Sequence, residues 1–179
     1  MKIRSAYLLI AAVLAAGLPA ELNAQPKAFG MSFSFNNIGI TYEHFGSEGN
    51  FTEFALNAKF SEMFLGRQKS HGGDASFTWN MKIGEFISSE GNPVTFFAGP
   101  GAVAGWGADF KKIPGIYVGI KGRIGAECSF SRRRVTISAY AAPVLGAHIT
   151  ESDDSIKMDY YRNGLIYSLI PEIGIKYRF

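Results

Sequence analysis

Three histidines, a lone cysteine, several loop serines and a scatter of carboxylates are the residues of this chain that could do chemistry. His44, His71 and His148 lie far apart and show no metal-ligand spacing. Ser70 beside His71, or Ser152 near His148, would suit a nucleophile and its base, but adjacency in sequence supplies neither the geometry nor an orienting third group. Glu151-Ser152-Asp153-Asp154 with Asp159 offers oxygen ligands for a divalent cation, without the fixed spacing of a calcium loop; a solvated acidic loop is the favoured reading. Gly99-Pro100-Gly101-Ala102-Val103-Ala104-Gly105 is glycine-rich like a dinucleotide loop, yet its spacing is wrong and no helix pattern follows. Arg132-Arg133-Arg134 could meet phosphate and reads more simply as a solvated rim or a contact to lipid headgroups. Cys128 stands among apolar residues as a filler, and one cysteine permits neither an internal disulfide nor a multi-cysteine zinc site.

A set of ten charges is more informative, because all ten share a phase. Almost everywhere beyond residue 27 the hydrophobic period is two, the signature of strands. Eight segments are expected, at roughly 28–35, 38–45, 51–60, 74–84, 94–106, 116–130, 135–146 and 165–179. One face of each is free of charge, as with Phe29, Met31 and Phe33, or Ile116, Val118 and Ile120. The other face carries Glu43, Glu53, Lys59, Lys82, Lys121, Arg123, Glu127, Glu172, Lys176 and Arg178, interleaved with glycine and small hydroxyl residues. Four acids and six bases on one face can form an ion-pair network, which a buried charge requires. Glycines beside long charged side chains fit the interior of an eight-stranded barrel, which is only just wide enough for side chains to fill. The apolar face bears aromatics near expected strand ends (Phe29, Phe35, Phe60, Trp106, Phe130, Tyr167, Tyr177, Phe179), placed as an interfacial girdle would need them. These features predict an all-β fold: an eight-stranded antiparallel up-and-down transmembrane β-barrel, apolar toward lipid and ionic toward the lumen.

The first residues give an address. Lys2 and Arg4 precede an uncharged run from Ala6 to Leu18, then Pro19 and a small residue at Ala24. This is the layout of a cleaved secretory signal peptide, and the run is too short to span a bilayer. The expected division is a signal peptide over 1–24 and a barrel over 25–179. The whole chain has 179 residues, 18 basic against 15 acidic, and 14% aromatics. That balance excludes a disordered tail and gives no case for nucleic acid. No cofactor is expected.

The end of the chain, Ile173-Gly174-Ile175-Lys176-Tyr177-Arg178-Phe179, resembles the C-terminal targeting segment of Gram-negative outer-membrane barrels. The remainder resembles the small eight-stranded OmpA/OmpX-like group, through Lys27-Ala28-Phe29-Gly30, Tyr42-Glu43-His44 and Ala98-Gly99-Pro100-Gly101-Ala102. The resemblance implies an outer-membrane location, with lipid and lipopolysaccharide as surroundings. It also implies that the barrel-assembly machinery reads Ile173, Ile175, Tyr177 and Phe179. It carries no catalytic residue, so a non-enzymatic role, structural or surface-binding, is expected, without a wide pore and with the extracellular ligand unknown. A soluble periplasmic lipocalin-like carrier with reversed faces and a lipid-modifying outer-membrane enzyme are the alternatives. With both termini in the periplasm, outer loops fall at about 36–37, 61–73, 107–115 and 147–163, and inner turns near 46–50, 85–93 and 131–134.

Overall fold

The computed structural model describes residues 26–61, 70–108, 113–130, 134–152 and 155–179. The expected signal peptide, Arg132, Arg133, Asp153 and Asp154 lie outside them. Among the described residues ten strands follow one another: β1 Lys27–Phe33, β2 Asn37–Phe45, β3 Phe51–Ser61, β4 Ser70–Ile87, β5 Pro93–Ala108, β6 Pro114–Phe130, β7 Val135–Ala141, β8 Val144–Ser152, β9 Ser155–Tyr160 and β10 Glu172–Arg178. A helical turn α1, Asn163–Ile166, and a 3-10 turn, Tyr167–Leu169, separate β9 from β10. No helix among the described residues is long and apolar enough to cross a membrane.

Strands β1 to β7 and β10 close into an eight-stranded antiparallel barrel, with β8 and β9 as extra strands. The last strand seals it, since β10 pairs with both β7 and β1. The terminal residue joins in: Phe179 N–H donates to the Lys27 carbonyl at 2.8 Å, and Lys27 N–H returns a bond to Phe179 at 3.1 Å. The stagger of the barrel can be read from the ladders. From Phe33, the route through Ile38, Ala58, Gly73 and Trp106 reaches Ile116 of β6. The route the other way, through Ile173 and Ala139, reaches Ala126. The two meet β6 ten residues apart, which with eight strands sets a tilt of about 40° and a backbone diameter of about 16 Å.

Alternation places the residues as their types require. In β1 the side chains of Phe29, Met31 and Phe33 are exposed, while Gly30 and Ser32 are buried. In β6, Ile116, Val118, Ile120 and Ile124 face out, and Tyr117, Lys121, Arg123 and Glu127 face in. The barrel is thus inverted relative to an ordinary soluble core: charges are inside and large hydrocarbon side chains outside.

The strand pattern departs from expectation on one side of the wall. The expected strand 135–146 is interrupted at Ala142 and Pro143, then runs on to Ser152. Pro143 has no N–H for the ladder, but its carbonyl still accepts from Gly122 at 2.8 Å. The expected outer loop 147–163 holds the β8–β9 hairpin. The expected strand 165–179 is strand only from Glu172, so Leu165, Tyr167 and Leu169 are not the strand face their alternation suggested. The cause is the absence of a partner. β1 ends at Phe33, so above Glu172 no strand among the described residues pairs with this segment, and the chain closes hydrogen bonds on itself. The N–H groups of Leu165 and Ile166 both donate to the Arg162 carbonyl. The turn expected over 85–93 is only 88–92, because β4 continues to Ile87 past an irregularity between Lys82 and Gly84. Gly91 takes a left-handed φ of 79° there.

Candidate functional site

The interior is stacked in tiers. At the end where β1 begins and β10 finishes, Phe45, Phe51, Phe97 and Tyr140 form an aromatic floor with Ala28. Its rings touch in series: Phe45 and Phe51 at 5.5 Å between centroids, Phe51 and Phe97 edge-on at 5.4 Å, Phe97 and Tyr140 at 6.5 Å. Glycine makes the room: Gly125 is the register partner of both Phe97 and Tyr140, so two large rings flank a position without a side chain. A Cβ at Gly125 would collide with the Ala139 carbonyl and with Tyr140.

Charges lie on this floor. Arg123 pairs with Glu53 at 2.9 Å and reaches Glu43 at 3.8 Å, its side chain wholly buried. Lys176 forms an ion pair with Glu43 and lies 3.9 Å from Glu53 and 3.7 Å from Glu127. Arg178 is 3.9 Å from Glu127. Three acids face three bases, so the cluster is formally neutral. Aromatic faces supplement the carboxylates: the Arg123 guanidinium sits 3.9 Å from the Tyr140 centroid and 4.8 Å from that of Phe97, and Arg178 sits 3.9 Å from Phe45.

A second tier centres on Asp74. Its carboxylate accepts from Tyr117 Oη at 2.7 Å and from Asn57 Nδ2 at 2.7 Å, and pairs with Lys59 at 3.0 Å. Tyr161 lies flat against Tyr117, with centroids 4.3 Å apart and planes 4° from parallel. Lys59 Nζ stands 4.5 Å above the Tyr117 ring and donates to Tyr161 Oη at 3.4 Å. Nearby, His148 Nε2 lies 3.0 Å from the Gly107 carbonyl, and Asn163 Nδ2 donates to the Ala108 carbonyl at 3.1 Å. Lys121 occupies the space between the tiers and donates to Ser76 Oγ at 2.9 Å.

Of the ten charges singled out in the sequence, Glu43, Glu53, Arg123, Glu127, Lys176 and Arg178 meet in one cluster. Lys59 and Lys121 face the same lumen at other levels. Lys82 pairs with Glu85 in the half-exposed part of β4, apart from the cluster. Glu172 accepts from Asn37 Nδ2 at 3.2 Å, near the β1–β2 hairpin. Sequence reasoning missed Asp74, which lies on the polar phase just where the expected strand began. It also passed over the interior aromatics. Phe97 was detectable, since it shares its phase with Gly99 and Gly101; Tyr161 was not, because it falls in what reads as a loop. Ile173, Ile175, Tyr177 and Phe179 form an exposed outer row on β10 and its end. Gly99 to Gly105 lies wholly within β5, whose register with β4 and β6 accounts for it.

His148 is buried against a carbonyl. The side chains of Ser70, His71 and Ser152 lie outside the described set. Among the described residues no group of three or more His, Cys, Asp or Glu could hold a metal ion. The chain matches no protein-family model, no curated protein and no solved structure. What the fold and its interior define is a class: a narrow, closed eight-stranded barrel with an ionic, aromatic-floored interior and a hydrocarbon exterior.

Proposed function

We propose that the chain is an integral outer-membrane β-barrel of a Gram-negative envelope, exported by a cleaved leader and assembled through its C-terminal strand. The observation that carries this reading is the inversion of faces. Met31, Ile40, Trp79, Ile120, Leu145 and Ile175 are exposed all round the wall, while Glu43, Glu53, Arg123 and Lys176 are almost fully buried. In water such an exterior would be an uncompensated apolar patch far larger than monomers carry; in a bilayer it is the expected outer face. The neutral ion cluster gains from the same arrangement, since the closed wall holds its partners in place.

The interior offers no wide channel, because the aromatic floor and the ion tiers occupy it. The role supported best is therefore non-enzymatic: a structural or surface-binding element whose outer loops meet the surroundings, with lipid and lipopolysaccharide around the wall. A lipocalin-like carrier would need the apolar face inside, opposite to the exposures above. Cell fractionation tests the proposal. The protein is expected in the outer-membrane fraction, released by detergent, with gel mobility that changes on boiling. Recovery in the soluble periplasm without detergent would overturn it.

A further inference from the structure

β8 continues β7 without a change of register. Ala141 stands opposite Ile124 of β6 and Val144 opposite Lys121, so the ladder is carried straight through Ala142 and Pro143. The chain on the other edge of β7 and β8 is divided. β10 meets them with Glu172 opposite Tyr140, and β9 meets them with Tyr160 opposite Ala147. Seven steps lead from Tyr140 to Ala147 and twelve from Tyr160 to Glu172, so segment 161–171 carries five residues more than the strand beside it. Five is odd, and an odd offset reverses which side chains face in. Asp159 shares the side of His148, which is buried, whereas in β10 the even-numbered Gly174 and Lys176 are the buried ones.

The edge of β8 beside this segment is little used. Gly122 N–H donates to the Pro143 carbonyl, so Ala142, Val144 and Gly146 turn their backbone groups away from β6 and toward 161–171. Among the described residues one backbone bond answers them, from Tyr161 N–H to the Gly146 carbonyl at 2.9 Å; Leu165 and Ile166 donate to Arg162 instead. The register of β10, carried on without the offset, fits this edge. It sets Ile170, Ser168 and Ile166 opposite Ala142, Val144 and Gly146, where backbone bonds are due. It sets Leu165 opposite Ala147, in the same phase as the exposed Ile173, Ile175 and Tyr177. Pro171 falls opposite Ala141, whose backbone bonds go to β6, so its missing N–H costs no bond.

We propose that this part of the wall is a register switch: β8 has two alternative partners, β9 in the structure described and residues 165–170 in an exchanged form. In the first form Tyr161 is stacked on Tyr117 inside the barrel, and Leu165, Ile166 and Leu169 lie exposed in helical turns. In the second, β10 lengthens along β8, β9 is released, and Tyr161 leaves Tyr117. Each form has what the other lacks. The first has six cross-strand pairs between β8 and β9 and the bond from Lys59 to Tyr161. The second has an unbroken ladder, which satisfies backbone groups that the first leaves unanswered. β1 ends at Phe33, so among the described residues the lengthened β10 has a strand on one edge only, and its advantage is limited. The exchange goes beyond the membrane reading and does not depend on it.

Disulfide trapping tests it, in a Cys128→Ser background that removes the native cysteine, with the fold followed by near-ultraviolet circular dichroism in detergent micelles. Ile149→Cys with Met158→Cys, opposite each other in β8 and β9, reports the first form. Ala147→Cys with Leu165→Cys reports the second. In the first form Gly164 sits against the Val144 carbonyl, which puts Leu165 about 10 Å along β8 from Ala147, beyond the reach of a disulfide. Ala147→Cys with Ile175→Cys is far apart in both forms. Under mild oxidation the first pair should link fast, the second more slowly in protein that stays folded, and the third not at all. Once 147 and 165 are linked, trypsin should cut after Lys157 of the released β9 many times faster than in protein linked at 149 and 158. Tyr161→Ala should speed the 147–165 link severalfold, because Tyr161 must leave Tyr117 for the exchange. The switch is overturned if 147 and 165 link only as the fold is lost, or if 147 and 175 link as readily. It is overturned equally by a 147–165 link that leaves Lys157 protected, or by a rate that Tyr161→Ala does not change.

Discussion

Arg123 of β6 reaches across the interior to within 2.9 Å of Glu53 on β3, three places round the wall. A tie of this kind holds the barrel against flattening, which the ladders alone do not resist. Both partners are essentially without solvent, and removing either one leaves the buried cluster with an unbalanced charge, since Lys176 near Glu53 and Glu43 near Arg123 are already shared with other partners.

Arg123→Met should therefore cost about 3–5 kcal/mol, the usual penalty for leaving a buried charge uncompensated. The double variant Arg123→Met with Glu53→Gln should recover a good part of the loss. Urea-induced unfolding in lipid vesicles measures both. A double variant no more stable than the single one would mean that Arg123 contributes by packing on Tyr140 and Phe97 and not through its charge.

On the membrane reading proposed above, two arginines locate the bilayer against the wall. Ile120 lies on the outer face of β6, well inside the belt, and Ile156 lies on β9 near the tip of the outer hairpin. Ile120→Arg should cost about 2–4 kcal/mol, whereas Ile156→Arg should cost less than about 1 kcal/mol, because the penalty fades toward the interface. Equal costs in vesicle unfolding would contradict the placement of the belt.

Glycine at 125 is required by the neighbouring strand, whose Ala139 carbonyl and Tyr140 Cβ stand where a side chain would begin. Gly125→Ala puts a Cβ against the Ala139 carbonyl and Tyr140, a collision with backbone that no rotamer relieves. A loss of about 1–3 kcal/mol is expected, typical of overpacking. Pairing it with Tyr140→Ser should restore little, because the carbonyl remains; full restoration would place the whole conflict in the ring.

Much of this was legible in the sequence, and the illegible part has a common cause. Residues 28–33, 38–45 and 116–130 alternate cleanly because each strand is paired on both edges, so side-chain phase alone decides what faces in. Leu165, Tyr167 and Leu169 also share a phase, with Ser168 on the other, and yet Leu165 to Leu169 lies in helical turns. Alternation reports which residues share a face if the segment is extended; it carries no information on whether a neighbour exists to pair with. That is settled far away in sequence, by the hairpin at 34–36 ending β1 early. Tyr161 and Asp74 were missed for the same reason. Their bonds join β4, β6 and the end of β9, and only closure of the barrel brings those together. The ionic cluster was easier, since six of its charges already share a phase, and eight strands of this stagger leave them no room to avoid one another.

The upper tier gives the last prediction, on local stability. Asp74 anchors Tyr117, Asn57 and Lys59, and two of these three hold Tyr161 in the lumen. Asp74→Ala removes a charged acceptor from two hydrogen bonds and one ion pair, a loss of about 2–4 kcal/mol, since bonds to charged groups each contribute more than neutral ones. The effect should be felt first where strand pairing is absent, which is segment 161–171, and only later in β4 and β6. Arg162 lies in that segment and is exposed, so trypsin can report on it directly. With Asp74→Ala, cleavage after Arg162 in folded, vesicle-embedded protein should accelerate well before heat-modifiable mobility is lost. Tyr161→Ala should accelerate it as well, whereas Lys121→Met, which alters the lumen without touching the stack, should not. Cleavage that speeds up only in step with global unfolding would show that the segment is as firmly seated as the strands.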